Sequence, residues 1–354
     1  MAAMPADPLH TGEVGVSPRP SRRTNLALLV LLAGAFVTGW VGFGVEGSPE
    51  SRVVSVIHGI LGLGILVLAP WKSVIVRGGL RRRHRHGLAV AFASVVAASL
   101  LAGVVHATLG PLELAGVSAL DVHVGAAVAA VPLAVVHMVR RPQRPRATDL
   151  SRRTALRAMA VGGAAALAYG ALESVTALAR LPGARRRATG SYEVGSGVPS
   201  AMPVTQWFTD DVPRIDVEAY ELRVSRPDEP TLRLSYGELL AMTGTTQTVV
   251  LDCTGGWWAE QTWRGIRLDT LLGTVDHGSI AVRSVTGYTR RFPPEDAAEL
   301  LLATHVGGAP LSSGHGAPVR LVAPGRRGFW WVKWVEHVSV EPQAWWWQPP
   351  FPLQ

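Results

Sequence analysis

Four stretches of this chain run for about twenty residues without a charged side chain, the length at which a helix crosses a hydrocarbon core. They are Asn25 to Val45, Val53 to Trp71, Gly87 to Leu112 and Val122 to Val139. One such run could be a buried core helix. Four in succession, joined by short polar loops, predict an all-α transmembrane bundle, because lipid leaves the backbone no partner outside its own helix. A weaker Ala/Gly run from Ala158 to about Leu172 adds a fifth segment.

Arginine placement orients the bundle. Arg22 and Arg23 precede the first span, the run Arg81 to His86 separates the second from the third, and Arg140, Arg141, Arg144, Arg146, Arg152 and Arg153 separate the fourth from the fifth. The intervening loops 46–52 and 110–118 are nearly free of Lys and Arg. Basic loops stay in the cytoplasm, so the N-terminus is expected inside and the C-terminal half outside a cell membrane crossed several times. Arg185, Arg186 and Arg187, after the fifth segment, run against this, although long domains cross largely regardless of charge. Ser151 to Arg157 ahead of the weak apolar run also reads as a twin-arginine-like signal, which implies export of a folded, cofactor-loaded domain. The expected organisation is a disordered cytoplasmic tail 1–24, a four-helix module 25–140, a basic loop and fifth segment 141–180, a linker 181–204 and an outer domain 205–354. The net charge of +8 lies in short runs beside apolar stretches rather than on one face of a domain, which argues against a nucleic-acid partner.

Ionisable groups inside spans are costly and point to function. His58 lies in span two, His106 near the end of span three, and His123 and His137 in span four, fourteen residues apart, roughly 21 Å of helix rise on nearly one face. In the expected topology His58, His106 and His123 lie toward the outer leaflet, and His137, with His86, toward the inner. This plan resembles four-helix membrane b-type cytochromes. The resemblance implies haem b, with His123 opposite His58 or His106 at the outer level and His137 opposite His86 at the inner, and a quinone or cytochrome as electron partner. The alternative is that these histidines hydrogen-bond between helices.

The second half changes character: it carries ten of the twelve Trp. Short β-branched runs at 219–224, 247–252 and 318–323 read as strands, and 234–240, 268–272 and 294–303 as short helices, mixed without regular alternation, which argues an α+β domain. The lone cysteine, Cys253, follows one such strand and precedes Thr-Gly-Gly-Trp-Trp258. On the oxidising side of a membrane it has no partner in its own chain, leaving a buried thiol, an intermolecular bridge or a ligand to a soft metal.

Four stretches taken in order resemble the molybdopterin-binding domain of the sulfite oxidase family: Leu251 to Gly256, Trp263 to Leu272, Gly287 to Pro293, and His315 to Gly325 followed by Val332 to Glu336. The resemblance covers roughly Thr205 to Val340. It implies a Mo-molybdopterin cofactor, with the metal on Cys253 and the pterin and its phosphate contacted by His315, Arg320, Lys333 and the backbone at Trp331 and Val332. Soft sulfur for the metal and fork-like and point cations for a phosphate suit that chemistry. There is one departure. Animal members carry an Asn-Arg-Arg run shortly after the cysteine, where this chain has Gly255-Gly256-Trp257-Trp258, so Arg290, Arg291 or Arg264 are the remaining candidates to hold an anionic substrate. The expectation is a membrane-bound molybdoenzyme exchanging an oxygen atom and two electrons with a small sulfur- or nitrogen-oxygen compound, its electrons passing through the helices. The rival expectation is a non-catalytic binding protein that keeps the fold without metal.

Overall fold

The computed structural model describes residues 19–44, 49–80, 87–140, 146–149, 151–206 and 211–349. The N-terminal part is helical: α1 (Arg19–Gly44), α2 (Pro49–Leu80), α3 (Gly87–Leu109), α4 (Ala119–Arg140) and α5 (Arg152–Leu178), with a two-stranded hairpin β1 (Glu113–Leu114) and β2 (Val117–Ser118) between α3 and α4. All five are long and apolar enough, by length and composition, to cross a membrane. Helices α1 and α2, α3 and α4, and α2 and α5 pack against one another. Their outward sides stay apolar and open, with Val30 at 68%, Leu101 at 62% and Leu167 at 77% exposure, the reverse of a water-facing helix. Most of segment 1–24, the Arg81–His86 loop with His86, and Arg141 and Arg144 lie outside the described residues.

The two ends of the bundle differ. At one end Arg22 pairs with Asp149 and Lys72 donates to Asn25. The other end carries the C-terminal domain, which touches four of the helices. Phe43 of α1 stacks on Phe329 at 5.9 Å between ring centres. Ser55 of α2 donates to the Ala188 carbonyl, and Tyr192 to that of His106 on α3. Leu120 of α4 lies under Gly256, where a β-carbon would come within 2.7 Å of it.

That domain is α+β. In chain order it holds β3 (Tyr192–Glu193), β4 (Glu221–Ser225), β5 (Leu232–Ser235), α6 (Tyr236–Met242), β6 (Thr245–Asp252), β7 (Trp257–Arg267), α7 (Leu268–Leu272), β8 (Ser279–Ser284), β9 (Thr289–Phe292), β10 (Leu301–Val306), β11 (Ala309–Pro310), β12 (Arg320–Val322) and β13 (Val335–Glu341). One sheet runs β11-β10-β7-β3, with β12 on β10 and β6 on β7; the other runs β5-β4-β13-β8-β9. Alternate residues of both enter one core, Trp263, Leu302 and Leu321 from the first and Leu222, Val282 and Val338 from the second. A capping box of Ser235 and Glu238 starts α6.

Two sequence expectations change. The helix expected over 294–303 is a 3₁₀ turn at Pro294–Ala298 followed by strand β10. The segment taken as a linker is built into the domain: β3 pairs in parallel with β7, and Tyr192 and Met202 are buried. Trp346 and Trp347 are exposed at the C-terminal end of the described chain, at 64% and 70%.

Candidate functional site

The site starts at a hairpin tip. Strands β6 and β7 pair through Asp252 opposite Trp258, and Cys253 closes the turn, its N–H donating to the Trp257 carbonyl at 2.8 Å. Gly256, at φ +86°, makes that turn, a conformation that side-chain-bearing residues rarely adopt. The Cys253 sulfur accepts from the Gly255 N–H at 3.4 Å. Burial pushes the thiol up from its ordinary range, against the Gly255 N–H, Arg327, Thr205 and Lys333, which pull it down. Left alone the group is therefore a neutral thiol, and a metal must displace its proton to bind.

Arg320 opens β12 and is 2% exposed. Its guanidinium lies 5.0 Å from the Trp263 ring and 5.6 Å from the Trp331 ring, and donates to the His315 carbonyl at 3.1 Å. Its Nε has no hydrogen-bond partner, and among the described residues no carboxylate pairs with it. Burial lowers this group to about 10, with the Cys253 sulfur acting in the opposite sense. Lys333 reaches the Thr205 and Gly314 carbonyls at 2.8 and 2.7 Å. His315 spends both ring nitrogens on the protein, Nδ1 on Ser312 at 2.8 Å and Nε2 on the Met202 carbonyl at 3.0 Å. Since a carbonyl only accepts, Nε2 carries the proton, and burial keeps the ring below its ordinary range and neutral. Val332 uses its carbonyl to accept from Leu321, and Trp331 donates its indole N–H to Arg326. Cys253, Arg320, His315 and Lys333 thus converge through β6, β12 and the turns around Gly316 and Trp331.

Arg290 and Arg291 take another course. Arg290 is 2% exposed, lies against the Phe329 and Trp330 rings and donates to the Pro349 carbonyl at 2.9 Å. Arg291 is paired with Glu341 at 2.8 Å. Arg291 is held by Glu341 of β13, whereas Arg290 keeps its buried Nη2 without a hydrogen-bond partner among the described residues, and Arg264 is exposed on β7.

Sequence reasoning missed the buried network that holds the cysteine turn. Asp252 is fully buried and accepts from Ser191 at 2.7 Å, from Thr189 at 2.8 Å and from Arg327, with Arg187 at 3.2 Å. The available signal was a carboxylate ending the apolar run Val249-Val250-Leu251, which has to find partners if buried. The partners come from distant segments, and Arg187 and Arg186 (paired with Glu173) are neutralised charges rather than free basic flanks.

In the helices, His58 and His123 come together with ring centres 5.8 Å apart and planes at 85°. His58 Nδ1 bonds to the Ala35 carbonyl at 2.9 Å and His123 Nδ1 to the Ser99 carbonyl at 2.8 Å. His106 instead bonds through Nε2 to the Gly190 carbonyl at 2.9 Å and stands edge-on to Tyr192. His137 stacks on Phe92 at 5.7 Å.

The C-terminal domain is similar to known proteins. Residues 209–346 match the family model for the oxidoreductase molybdopterin binding domain. Mitochondrial sulfite oxidase of Homo sapiens is 32% identical over 168 residues, covering 37% of this chain and 31% of that protein. Sulfite oxidase of Gallus gallus is 29% identical over 170 residues, covering 37% of each. The crystal structure of the sulfane dehydrogenase SoxCD from Paracoccus pantotrophus aligns at 25% identity with a TM-score of 0.35, over 38% of this chain and 41% of that one. The chain spans about a third of the length of the curated relatives it matches. Its C-terminal domain is thus similar to the molybdopterin-binding domain of sulfite oxidases.

The residues present fit the group that such a domain takes. A buried guanidinium without a counter-ion is unfavourable unless an anion joins it, and a pterin phosphate is one. The buried Cys253 thiol within the field of the Arg320 charge supplies a soft ligand.

Proposed function

We propose that this chain is a membrane-anchored, molybdenum-cofactor-dependent oxidoreductase acting on a small sulfur- or nitrogen-oxygen compound, with electrons exchanged through the helical module. The observation that carries the outer half of this reading is the buried, unpaired Arg320 beside Cys253. When bound, the cofactor supplies oxygen-atom transfer, in which the substrate gains an oxygen from water with release of two electrons and two protons, or the reverse. The chain's own residues prepare that chemistry. Cys253 gives up its proton to become a thiolate ligand, and the Gly255 N–H directed at its sulfur tempers the charge. Arg320 and Lys333 balance the cofactor's phosphate, Trp263 and Trp331 keep water from Arg320, and Asp252 with Arg327 fixes the turn that aims the sulfur.

The anchor reading rests on five long apolar helices with open apolar flanks. Their basic ends lie in the cytoplasm and the domain outside. Haem b is the carrier within the helices, with ligands among His58, His106, His123 and His137, and a quinone or cytochrome of the membrane is the redox partner. The test is metal analysis and dye-coupled turnover of the purified full-length protein against sulfite, sulfoxides and N-oxides. About one molybdenum per chain in the parent is expected, with turnover abolished in Cys253→Ser. Negligible molybdenum in both forms, from a host that makes the cofactor, would sink the reading and favour a binding protein without metal.

A further inference from the structure

Two imidazoles that meet inside a helical bundle with no third ligand define a narrow class of site. A carbonyl can only accept, so the bonds to Ala35 and Ser99 put the proton of each ring on Nδ1 and leave a lone pair on each Nε2. This is how metal-binding histidines are held: the second nitrogen donates to a backbone carbonyl and fixes the ring. A metal–imidazole bond is about 2 Å, so two rings on opposite sides of one metal have centres about 6 Å apart. The observed separation is 5.8 Å. Among the described residues no group of three or more His, Cys, Asp or Glu could hold a metal ion, so a bare ion here lacks the four ligands that zinc takes. A metal that brings its remaining ligands with it does not.

Two close approaches shape the pair. A β-carbon on Gly39 of α1 would lie 3.0 Å from the His58 ring, and one on Gly103 of α3 would lie 2.7 Å from His123 Nδ1. Each ring therefore lies against a bare stretch of the neighbouring helix. Gly103 is three residues, about one turn, before His106, whose ring lies 3.4 Å from where a β-carbon on Gly256 would be. The pair thus sits about one helical turn beneath the turn that carries Cys253.

We propose that His58 and His123 are the two axial ligands of a single haem placed directly beneath the Cys253 turn, and that His106 and His137 ligate no haem. This rests on reading the helices as an electron-transfer module, and it narrows four candidates to one pair and one haem. His106 donates Nε2–H to Gly190 and keeps a buried Nδ1 without a partner, but its ring stands edge-on to Tyr192 rather than opposite a second imidazole, and His137 stacks on Phe92.

The test is the optical and electron-spin spectrum of the purified full-length protein from haem-sufficient cells, with haem and molybdenum counted separately. The expected result is one low-spin haem per chain. His58→Ala and His123→Ala lose it or turn it high-spin, while His106→Gln and His137→Gln keep its spectrum. His58→Met and His123→Met, each offering a replacement ligand, keep the haem with a changed α-band and midpoint potential, which separates lost ligation from misfolding. Parental protein without haem, two haems per chain, or loss of the low-spin signal in His106→Gln or His137→Gln would overturn the assignment. Haem present without molybdenum upholds the assignment and removes the outer-site reading instead.

Discussion

Arg320 shows what a single residue costs and why it is kept. Burial brings its pKa down to about 10, which corresponds to about 3 kcal/mol against the charged form in the folded domain. The sign follows from the direction. A cation whose folded value lies below its unfolded one destabilises the fold at every pH below about 10, and relief comes only as pH rises from there toward the unfolded value. The cofactor-free domain at neutral pH therefore carries the whole penalty, and a bound phosphate removes it. Arg320→Met is accordingly expected to raise the thermal midpoint of the domain in cofactor-free protein, by an amount on the order of 1–4 kcal/mol, while pterin content falls. Scanning calorimetry of protein from cofactor-deficient and cofactor-competent cells reads both arms. A cofactor-free variant less stable than its parent, or one that fills with pterin normally, contradicts this account. Asp252 is the opposite case, a buried carboxylate with two arginines and two hydroxyls around it. Removing it as Asp252→Ala strands Arg327 and is expected to cost about 3–5 kcal/mol, measured as the fall in the same midpoint in cofactor-free protein.

At the scale of elements, close helix packing sets the level of the His58–His123 pair. Gly103→Val puts two methyl branches where His123 Nδ1 now lies, so the ring must leave the Ser99 carbonyl. Haem content is expected to drop about tenfold or more, the scale of losing a ligand's supporting shell, with molybdenum unchanged. Unchanged haem in this variant would mean that His123 is not held as described. The helices themselves were legible in the sequence because a charge-free run of membrane-spanning length is a local signal. Strand β10 was not, since Leu300-Leu301-Leu302-Ala303 is apolar throughout and such runs do not separate helix from strand. Pairing with β7 and β12 decides it. The Gly/Ser/Pro composition around Ser191 likewise read as linker, because its parallel pairing with β7 and its bonds to Asp252 lie far off in sequence. Cys253, His315 and Arg320 were singled out through an ordered set of motifs. The bonds of Arg290 to Pro349 and of Arg291 to Glu341 have no local sign.

For the whole molecule, the domain and the basic helix ends occupy opposite ends of one bundle. Phe43, Ser55, His106 and Leu120 meet the domain, whereas Arg22, Lys72 and Asp149 mark the far end. Two of the three arginines after α5, Arg186 and Arg187, are paired with Glu173 and Asp252, which leaves Arg185 as the exposed one. If the positive ends face the cytoplasm, every exposed residue of the domain faces outside. The single cysteine makes this easy to measure. On a Cys253→Ser background, Asp228→Cys, on the exposed turn between β4 and β5, is expected to react with a membrane-impermeant maleimide added to intact spheroplasts. Ala147→Cys, exposed at the other end, is expected to react only after the membrane is opened. The reverse pattern would put the oxidoreductase domain in the cytoplasm, and the His58–His123 level would then lie toward the inner face, since the pair sits a turn from the domain whichever way the bundle points. Labelling of both positions from outside would contradict an odd number of crossings between residue 147 and residue 228, and with it α5 as a spanning helix.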